Sequence, residues 1–147
     1  MYKFLIIILV VLGLGFMAGG LGKPKAEEGV TIVTSLPKEA EKIEVFVFHA
    51  TSRCISCINI GKYSKAVIEE KFSEELNSGK ITFREVNIDL PENYKMAQDY
   101  KVSGSALYIN AIKDGKDNHE EDTTVWRLVA NETQMKSYFE AKLKSLL

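Results

Sequence analysis

Beyond residue 42, a short and almost continuously apolar run is followed by a longer stretch with helical periodicity. Residues 43–48 are almost continuously apolar, which predicts a strand buried on both faces, as in a parallel sheet covered by helices. From Cys57 to about Leu76, apolar positions recur every three or four residues, a spacing that predicts a helix with one buried stripe. Gly79 then supplies the left-handed conformation that commonly follows a helix. This region therefore predicts a strand followed by a helix that ends before Gly79.

The next segment predicts a second strand and a second helix. Residues 81–88 have the composition of a strand, but the alternation slips between Phe83 and Val86, which indicates a bulge or a partly exposed edge. A helix is expected to begin near Pro91, because proline costs little in the first turn. Its predicted apolar stripe consists of Leu90, Tyr94, Ala97 and Tyr100.

The C-terminal part predicts two antiparallel strands and a last helix. Residues 106–112 and 123–129 are predicted to pair as strands, with a turn around Gly115 and a polar loop between them. Asn131 has the position of an N-cap, and Gln134 follows it at the spacing of a capping box. The order of elements is strand, helix, strand, helix, strand, strand, helix.

The N-terminal residues have a different character. Residues 4–22 carry no charged side chain and would span roughly 28 Å as a helix, about the thickness of the bilayer hydrocarbon. We expect residues 1–22 to be a signal anchor or a signal peptide, with a candidate cleavage site at residues 18–20. A retained anchor is favoured, although the cationic flanks are too balanced to fix orientation strongly.

The predicted organisation is therefore an anchor or signal (residues 1–22), a linker (residues 23–42) and one folded domain (residues 43–147). In either case the domain is expected outside the cytoplasm, membrane-anchored or, after cleavage, secreted. Disulfides persist in such compartments.

Composition excludes some functions without selecting one. The 147 residues are 46% hydrophobic and 27% charged, which is ordinary for a globular domain. A net charge of −1 without basic clusters gives no electrostatic basis for binding nucleic acid. Two cysteines are too few for a disulfide scaffold, which makes their close spacing more informative.

Cys54 and Cys57, the two cysteines, lie three residues apart where the first strand gives way to the first helix. A thiol attacks as the thiolate, and a helix N-terminus favours that form. Arg53 adds a positive charge next to Cys54, although a merely solvated arginine is nearly as good an interpretation. We predict that Cys54 attacks and that Cys57, one helical turn on, resolves the mixed disulfide.

Other interpretations of these residues remain open. A purely structural disulfide across so short a loop would constrain the unfolded chain little. Two thiolates supply half of a tetrahedral metal site, with His49 as a candidate third ligand, and an iron–sulfur cluster shared between two chains would also use the pair. We do not favour metal, and expect no cofactor beyond the cysteine pair. His49 is more often a strand-end residue than a ligand.

Three further features are expected to be structural. Trp126 is interpreted as a packing residue and His119 as solvent-exposed. The acidic run of residues 117–122 is interpreted as a solvated loop, with a weak calcium or partner site as the minor alternative.

The order of elements, with Cys-x-x-Cys between the first strand and helix, resembles the thioredoxin-like fold over residues 43–147. Residues 87–89 (Asn-Ile-Asp) and residues 100–104 are similar to family segments that end the second strand and lead into the third. The resemblance implies an α/β, three-layer fold with a central mixed sheet, a βαβ unit, a ββα unit and helices on both faces. The chain is also similar to small anchored thioredoxin-like proteins of prokaryotes, including subunits of a nitrophenyl-compound reductase.

The sequence departs from the family at three places. Arg53 stands where thioredoxins have tryptophan, and no acidic residue in residues 45–48 matches the carboxyl buried beneath their dithiol. Ala106 stands where they have a cis-proline. A cis bond costs about 2.5–4 kcal/mol before alanine and about 0.5–1 kcal/mol before proline, so we predict a trans Ser105–Ala106 bond.

The resemblance and the dithiol together predict a membrane-tethered, extracytoplasmic thiol–disulfide oxidoreductase. Its expected partners are disulfide-bearing proteins or a membrane electron-donor protein, with the membrane contacted through residues 4–22. The alternative is a metal- or electron-carrying subunit of a membrane redox complex, without disulfide exchange activity of its own. The direction of electron flow is not encoded in the pattern.

Overall fold

A four-stranded mixed sheet organises residues 38–147, the part of the chain that the computed structural model describes. The strands lie in the order β2-β1-β3-β4, with β1 and β2 parallel and the other two pairs antiparallel. The elements are β1 (Lys42–His49), α1 (Ile55–Lys71), α2 (Ser73–Ser78), β2 (Ile81–Asn87), a 3-10 turn (Pro91–Asn93), α3 (Tyr94–Asp99), β3 (Ala106–Ile112), β4 (His119–Glu121), α4 (Val125–Leu128) and α5 (Glu132–Lys144).

One face of the sheet forms the main hydrophobic core. Alternate residues of β1 point to this face, and α1 and α5 pack over it. The core residues of the two helices recur at the predicted spacing. They are Ile60, Val67 and Ile68 on α1 and Met135, Phe139 and Leu143 on α5.

The opposite face of the sheet carries an aromatic cluster. Phe46, which alternates with the core residues of β1, lies 5.5 Å from the ring of Tyr100, and Tyr100 lies 5.2 Å from the ring of Tyr108. Because Tyr100 ends α3, this helix lies across the sheet from α1 and α5. Helices on both faces of a mixed sheet confirm the predicted α/β, thioredoxin-like architecture.

Several local predictions are confirmed. β3 spans Ala106–Ile112 as expected, Gly79 has a φ of 78°, and Asn131 accepts a 3.1 Å hydrogen bond from the backbone N–H of Gln134 at the start of α5. β2 pairs with β1 residue for residue along its whole length and lies at one edge of the described sheet. The slip in its pattern thus reflects an exposed edge rather than a bulge.

The strand predicted at residues 123–129 is wrong. The partner of β3 is the shorter β4, within the stretch predicted to be a loop, and residues 125–128 form α4. The carboxylate of Asp122 accepts a hydrogen bond from the backbone N–H of Thr124, which turns the chain away from the sheet. Asp122 is only 4% exposed, so the acidic run is not uniformly solvated as predicted.

Two helices also differ from prediction. The helix after the dithiol stops at Lys71 and restarts as α2, because Phe72 leaves the helical conformation (φ −131°, ψ 34°). In the predicted stripe of α3, Ala97 is buried, but Leu90 and Tyr94 are exposed.

Residues 1–22 and residues 23–37 of the predicted linker lie outside the described residues. Residues 38–147 form one compact unit. Ala40, near the end of the predicted linker, is buried, and its backbone N–H bonds to the carbonyl of Leu146. Within residues 38–147, no helix is long and apolar enough to cross a membrane.

Candidate functional site

The two cysteines form a disulfide at the start of α1, where a short loop delivers them from the end of β1. Their Cα atoms are 5.1 Å apart. Cys54 is the N-cap of the helix and is exposed, whereas Cys57 lies in the first turn and is only 9% exposed. The outer sulfur can therefore be reached by a second molecule and the inner one is shielded.

The sulfur of Cys54 occupies the place of a capping oxygen. Its Sγ accepts a 3.2 Å hydrogen bond from the backbone N–H of Cys57, one of the unpaired donors at the helix N-terminus. After reduction of the disulfide, a thiolate at this position gains from that donor and from the helix dipole. The fold thus favours ionisation of the exposed sulfur.

Arg53 does not lie free beside Cys54. Its Nη2 donates a 3.2 Å hydrogen bond to the carbonyl of Cys57, and its Nη1 lies 3.1 Å from Oε2 of Glu85 on β2. The Arg53 side chain is only 19% exposed, and its buried Nε has no hydrogen-bond partner in the described residues. The positive charge predicted next to the dithiol is present, but it is paired and held against the first turn of α1.

Gly61 makes room for this ion pair. A Cβ at this position would lie 3.1 Å from Nη2 of Arg53 and would collide with Oε1 of Glu85. α1 therefore presents no side chain at the point where the guanidinium of Arg53 and the carboxylate of Glu85 cross it.

A second set of hydrogen bonds fixes the loop before Arg53. The backbone N–H of Thr51 donates to Oδ2 of Asp89 at 2.7 Å, and Nδ2 of Asn87 donates to the Thr51 hydroxyl at 3.1 Å. The hydrogen bond from the Thr51 backbone holds the pKa of Asp89 below its ordinary value, with a further contribution from the Thr51 side chain. The Asn87–Asp89 segment on which the resemblance partly rests thus holds the dithiol loop.

Ala106 begins β3 next to the end of β1, opposite Phe48, and is buried. The described residues contain no cis peptide bond, so the Ser105–Ala106 bond is trans as predicted. A recess of about 220 Å³ lies beside it, lined by residues 101–106, Tyr108 and Glu121.

The remaining candidates do not join the dithiol in a common site. His49 ends β1, and its Nδ1 lies 2.9 Å from the carbonyl oxygen of Ala50. His119 is exposed and packs on Tyr100 with a centroid distance of 4.7 Å, and Trp126 packs against the core as predicted. Residues 38–147 contain no group of three histidine, cysteine or acidic side chains placed to hold a metal ion.

Glu85 and Gly61 are site residues that sequence reasoning missed. The signal was the slip in the alternation of β2: Glu85 pairs with Val47 and points to the same face of the sheet, where an apolar residue is expected. A charged residue on the strand face that packs against a helix favours a partner of opposite charge. The sequence did not identify Arg53 as that partner, because 32 residues separate the two.

No protein-family model matches the chain, and no curated protein matches its sequence. Among solved structures, it is similar to thioredoxin from Fasciola hepatica (24% identity, 69% of this chain and 82% of that chain, TM-score 0.42). It is also similar to the Malassezia sympodialis thioredoxin Mala s 13 (25%, 67% and 78%, TM-score 0.38) and to a thioredoxin from Thermus thermophilus (16%, 69% and 78%, TM-score 0.39).

The thioredoxin-like character of the chain rests on its own sheet order and on the Cys54–Cys57 pair at the junction of β1 and α1. The similarity to prokaryotic nitrophenyl-compound reductase subunits stays a prediction.

Proposed function

We propose that this protein is a membrane-tethered thiol–disulfide oxidoreductase whose reacting groups are Cys54 and Cys57. One observation carries the proposal: the pair forms a disulfide in which the exposed Cys54 sulfur caps α1 and the Cys57 sulfur is shielded behind it. A fold of this kind with such a pair supports disulfide exchange in general. The membrane tether, the compartment and the substrates are additional parts of the proposal.

In the reductive direction, the reaction begins from the dithiol. The Cys54 thiolate attacks one sulfur of a substrate disulfide, an S–S bond forms between them, and the other substrate sulfur leaves as a thiolate. The Cys57 thiol loses its proton to solvent and attacks the Cys54 sulfur. The Cys54–Cys57 disulfide forms, and the second substrate thiolate leaves. Two electrons pass from the cysteine pair to the substrate, and the oxidative direction is the reverse.

The transfer of two electrons in this reaction determines which partners the protein requires. A reductase requires a two-electron donor that reduces the Cys54–Cys57 disulfide again, and for a domain outside the cytoplasm this is a membrane electron-donor protein. An oxidase requires only a protein dithiol as substrate and an oxidant outside. The substrates in both cases are proteins that carry disulfides or dithiols, and the cysteine pair serves without another cofactor.

The tether is proposed from residues 4–22, whose uncharged sequence matches the thickness of a bilayer. Fractionation of cells that produce the full chain tests it. We expect the protein to resist carbonate extraction and to be digested by protease added to intact spheroplasts. Release by carbonate contradicts the anchor, and protection from protease contradicts the location outside the cytoplasm.

Trapping of mixed disulfides tests the chemistry. A Cys57→Ser chain retains the attacking sulfur but cannot resolve the intermediate, so it should accumulate covalent complexes that a reductant releases. Cys54→Ser is the matched control and should accumulate far fewer. If Cys57→Ser captures no protein and the unmodified protein reduces no disulfide, the proposed function is wrong. Metal analysis and a visible spectrum of anaerobically purified protein would then test the alternative electron-carrying role.

The reduction potential of the cysteine pair decides the direction. A value of about −270 mV indicates a reductase, and a value of about −120 mV indicates an oxidant. Equilibration with glutathione of known composition, followed by alkylation and mass spectrometry, measures it.

A further inference from the structure

The ion pair between Arg53 and Glu85 connects a surface charge on β2 to the first turn of α1. Arg53 directly precedes the exposed cysteine, and its guanidinium contacts the carbonyl of the shielded cysteine at 3.2 Å. Glu85 contacts the same guanidinium at 3.1 Å from the neighbouring strand. No other ion pair described in residues 38–147 includes a residue adjacent to either cysteine.

We propose that Glu85 is a positioning residue that sets the thiol–disulfide equilibrium of Cys54 and Cys57 through Arg53. Glu85 holds the guanidinium across α1 and offsets its charge, so that the cysteines experience a nearly neutral pair instead of a free cation. This inference rests on the proposed function, because it concerns the same cysteine pair.

The electrostatic reasoning gives the sign of each effect. A positive charge near a thiol favours the thiolate, and a negative charge disfavours it. A neutral residue at position 85 leaves the charge of Arg53 unbalanced and makes Cys54 more acidic. A neutral residue at position 53 leaves the carboxylate of Glu85 unbalanced and makes Cys54 less acidic. The two changes therefore act in opposite directions.

The reduced form gains whatever stabilises its thiolate, whereas the disulfide carries no charge. A more acidic Cys54 therefore makes the pair a stronger oxidant. Because the Glu85 side chain is 38% exposed and solvent screens it, we expect changes of a few-fold rather than of several decades.

Two single variants and their combination test this proposal. In Glu85→Gln we expect the Cys54 thiolate fraction at a fixed pH below its pKa to rise about threefold. At a pH above that pKa, where the reduced form is mostly thiolate, we expect a reduction potential more oxidising by about 14 mV. In Arg53→Met we expect shifts of similar size in the opposite direction. The double variant should return close to the original protein. Thiolate absorbance at 240 nm and equilibration with glutathione provide the two readouts.

Glu69→Gln is the matched control. Glu69 forms an exposed ion pair with Lys65 on α1, and its substitution changes the net charge by the same amount as Glu85→Gln. Shifts of Glu85→Gln and Arg53→Met in the same direction, or no larger than those of Glu69→Gln, would overturn the proposal. The far-ultraviolet circular dichroism of every variant establishes that it is folded.

Gly61→Ala provides a test that leaves the charges unchanged. The added methyl group would collide with Glu85 and crowd Arg53, and so would separate the pair. Alanine is favoured over glycine inside a helix by about 1 kcal/mol, so the helix itself should persist. We expect the thiolate fraction of Cys54 to change by at least twofold. An unchanged titration would show that the geometry of the pair has no influence on the dithiol.

These measurements separate the two proposals. Titration and reduction potential are properties of the cysteine pair and require no protein substrate. If Glu85→Gln and Arg53→Met shift them as expected, while Cys57→Ser captures no partner and the unmodified protein reduces no disulfide, the role of Glu85 stands and the oxidoreductase function fails. If capture succeeds and the titrations do not move, only the role of Glu85 fails.

Discussion

The backbone N–H of Thr51 donates a 2.7 Å hydrogen bond to the carboxylate of Asp89, across 38 residues of sequence. Thr51 lies in the loop that leads to the dithiol, and Asp89 follows the end of β2. The side chain of Asn87 reinforces the link, since it bonds to the Thr51 hydroxyl and accepts from the backbone of Asp89. The position of Cys54 thus depends on a parallel strand as well as on its own helix.

The first prediction concerns acid stability. The pKa of Asp89 is lowered in the folded state, chiefly by the hydrogen bond from Thr51, and the unfolded chain has a carboxyl pKa of about 3.9. The stabilisation is therefore complete above about pH 4 and is lost as the pH falls through the lower, folded value. As the pH is lowered below 4, we expect the urea midpoint of the unmodified protein to decrease more than that of Asp89→Asn, which retains an acceptor but does not titrate.

Asp99→Asn is the control for this comparison, because Asp99 is exposed and, among residues 38–147, forms an ion pair with Lys95 alone. If the pH profile of Asp89→Asn parallels that of the unmodified protein between pH 2.5 and 5, Asp89 contributes nothing to acid stability.

How much of the site could be predicted differs between elements. β1, α1 and β3 followed from periodicity, because each buries a face and the burial determines which positions are apolar. The dithiol and its place at the helix start followed from local sequence alone. β4 did not, because all three of its residues are exposed and it carries no apolar pattern.

The missed contacts all join residues distant in sequence. Glu85 reaches Arg53 only because β1 and β2 are parallel and in register, and because Gly61 leaves α1 flat at that point. The acidic neighbours of Asp122 predict a solvated loop, yet its partner is a tyrosine on α5. Composition predicts solvation on average, and only the tertiary structure identifies Asp122 as the buried carboxylate of residues 117–122.

The second prediction concerns that buried carboxylate. The hydroxyl of Tyr138 lies 2.9 Å from Oδ1 and 3.0 Å from Oδ2 of Asp122, which is only 4% exposed. In Tyr138→Phe, the carboxylate keeps the backbone N–H of Thr124 but loses its other donor. We expect a loss of about 1.5–3 kcal/mol in the free energy of unfolding, measured by urea denaturation. Tyr94→Phe, at an exposed tyrosine, should change it by less than about 0.5 kcal/mol, and equal effects of the two would contradict the prediction.

The third prediction concerns alkaline pH. Burial raises the pKa of Tyr100 to about 12, and the carboxylates of Glu44 and Asp117 add to the effect. The unfolded chain has a tyrosine pKa of about 10, so the neutral form stabilises the folded state fully below pH 10 and this stabilisation is lost as the pH rises through 12. Tyr100→Phe should remove the last step of the absorbance titration at 295 nm and flatten the decline of the urea midpoint above pH 10. Removal of an earlier step instead would show that Tyr100 titrates normally.

The fourth prediction concerns the surface around the reacting sulfur. Ile55 lies between the two cysteines and is 72% exposed, and Ile58, one turn on, is 43% exposed. Large apolar side chains this exposed next to Cys54 provide contact area for a polypeptide whose disulfide has reached the sulfur. Burying an isoleucine contributes about 1.5–3 kcal/mol, and a bound peptide would cover only part of it. In Ile55→Gln we therefore expect the KM for a protein disulfide to rise roughly threefold to tenfold.

A small disulfide such as oxidised glutathione is the control substrate, because it is too short to cover Ile55 while its sulfur contacts Cys54. Its rate constant with Ile55→Gln should stay within about twofold of the original, and the urea midpoint should be unchanged because the side chain is mostly solvated. If the variant slows both substrates equally, Ile55 affects the dithiol itself. If it slows neither, the substrate approaches Cys54 from another side, and Ile58→Gln would then show whether the contact lies one turn further along α1.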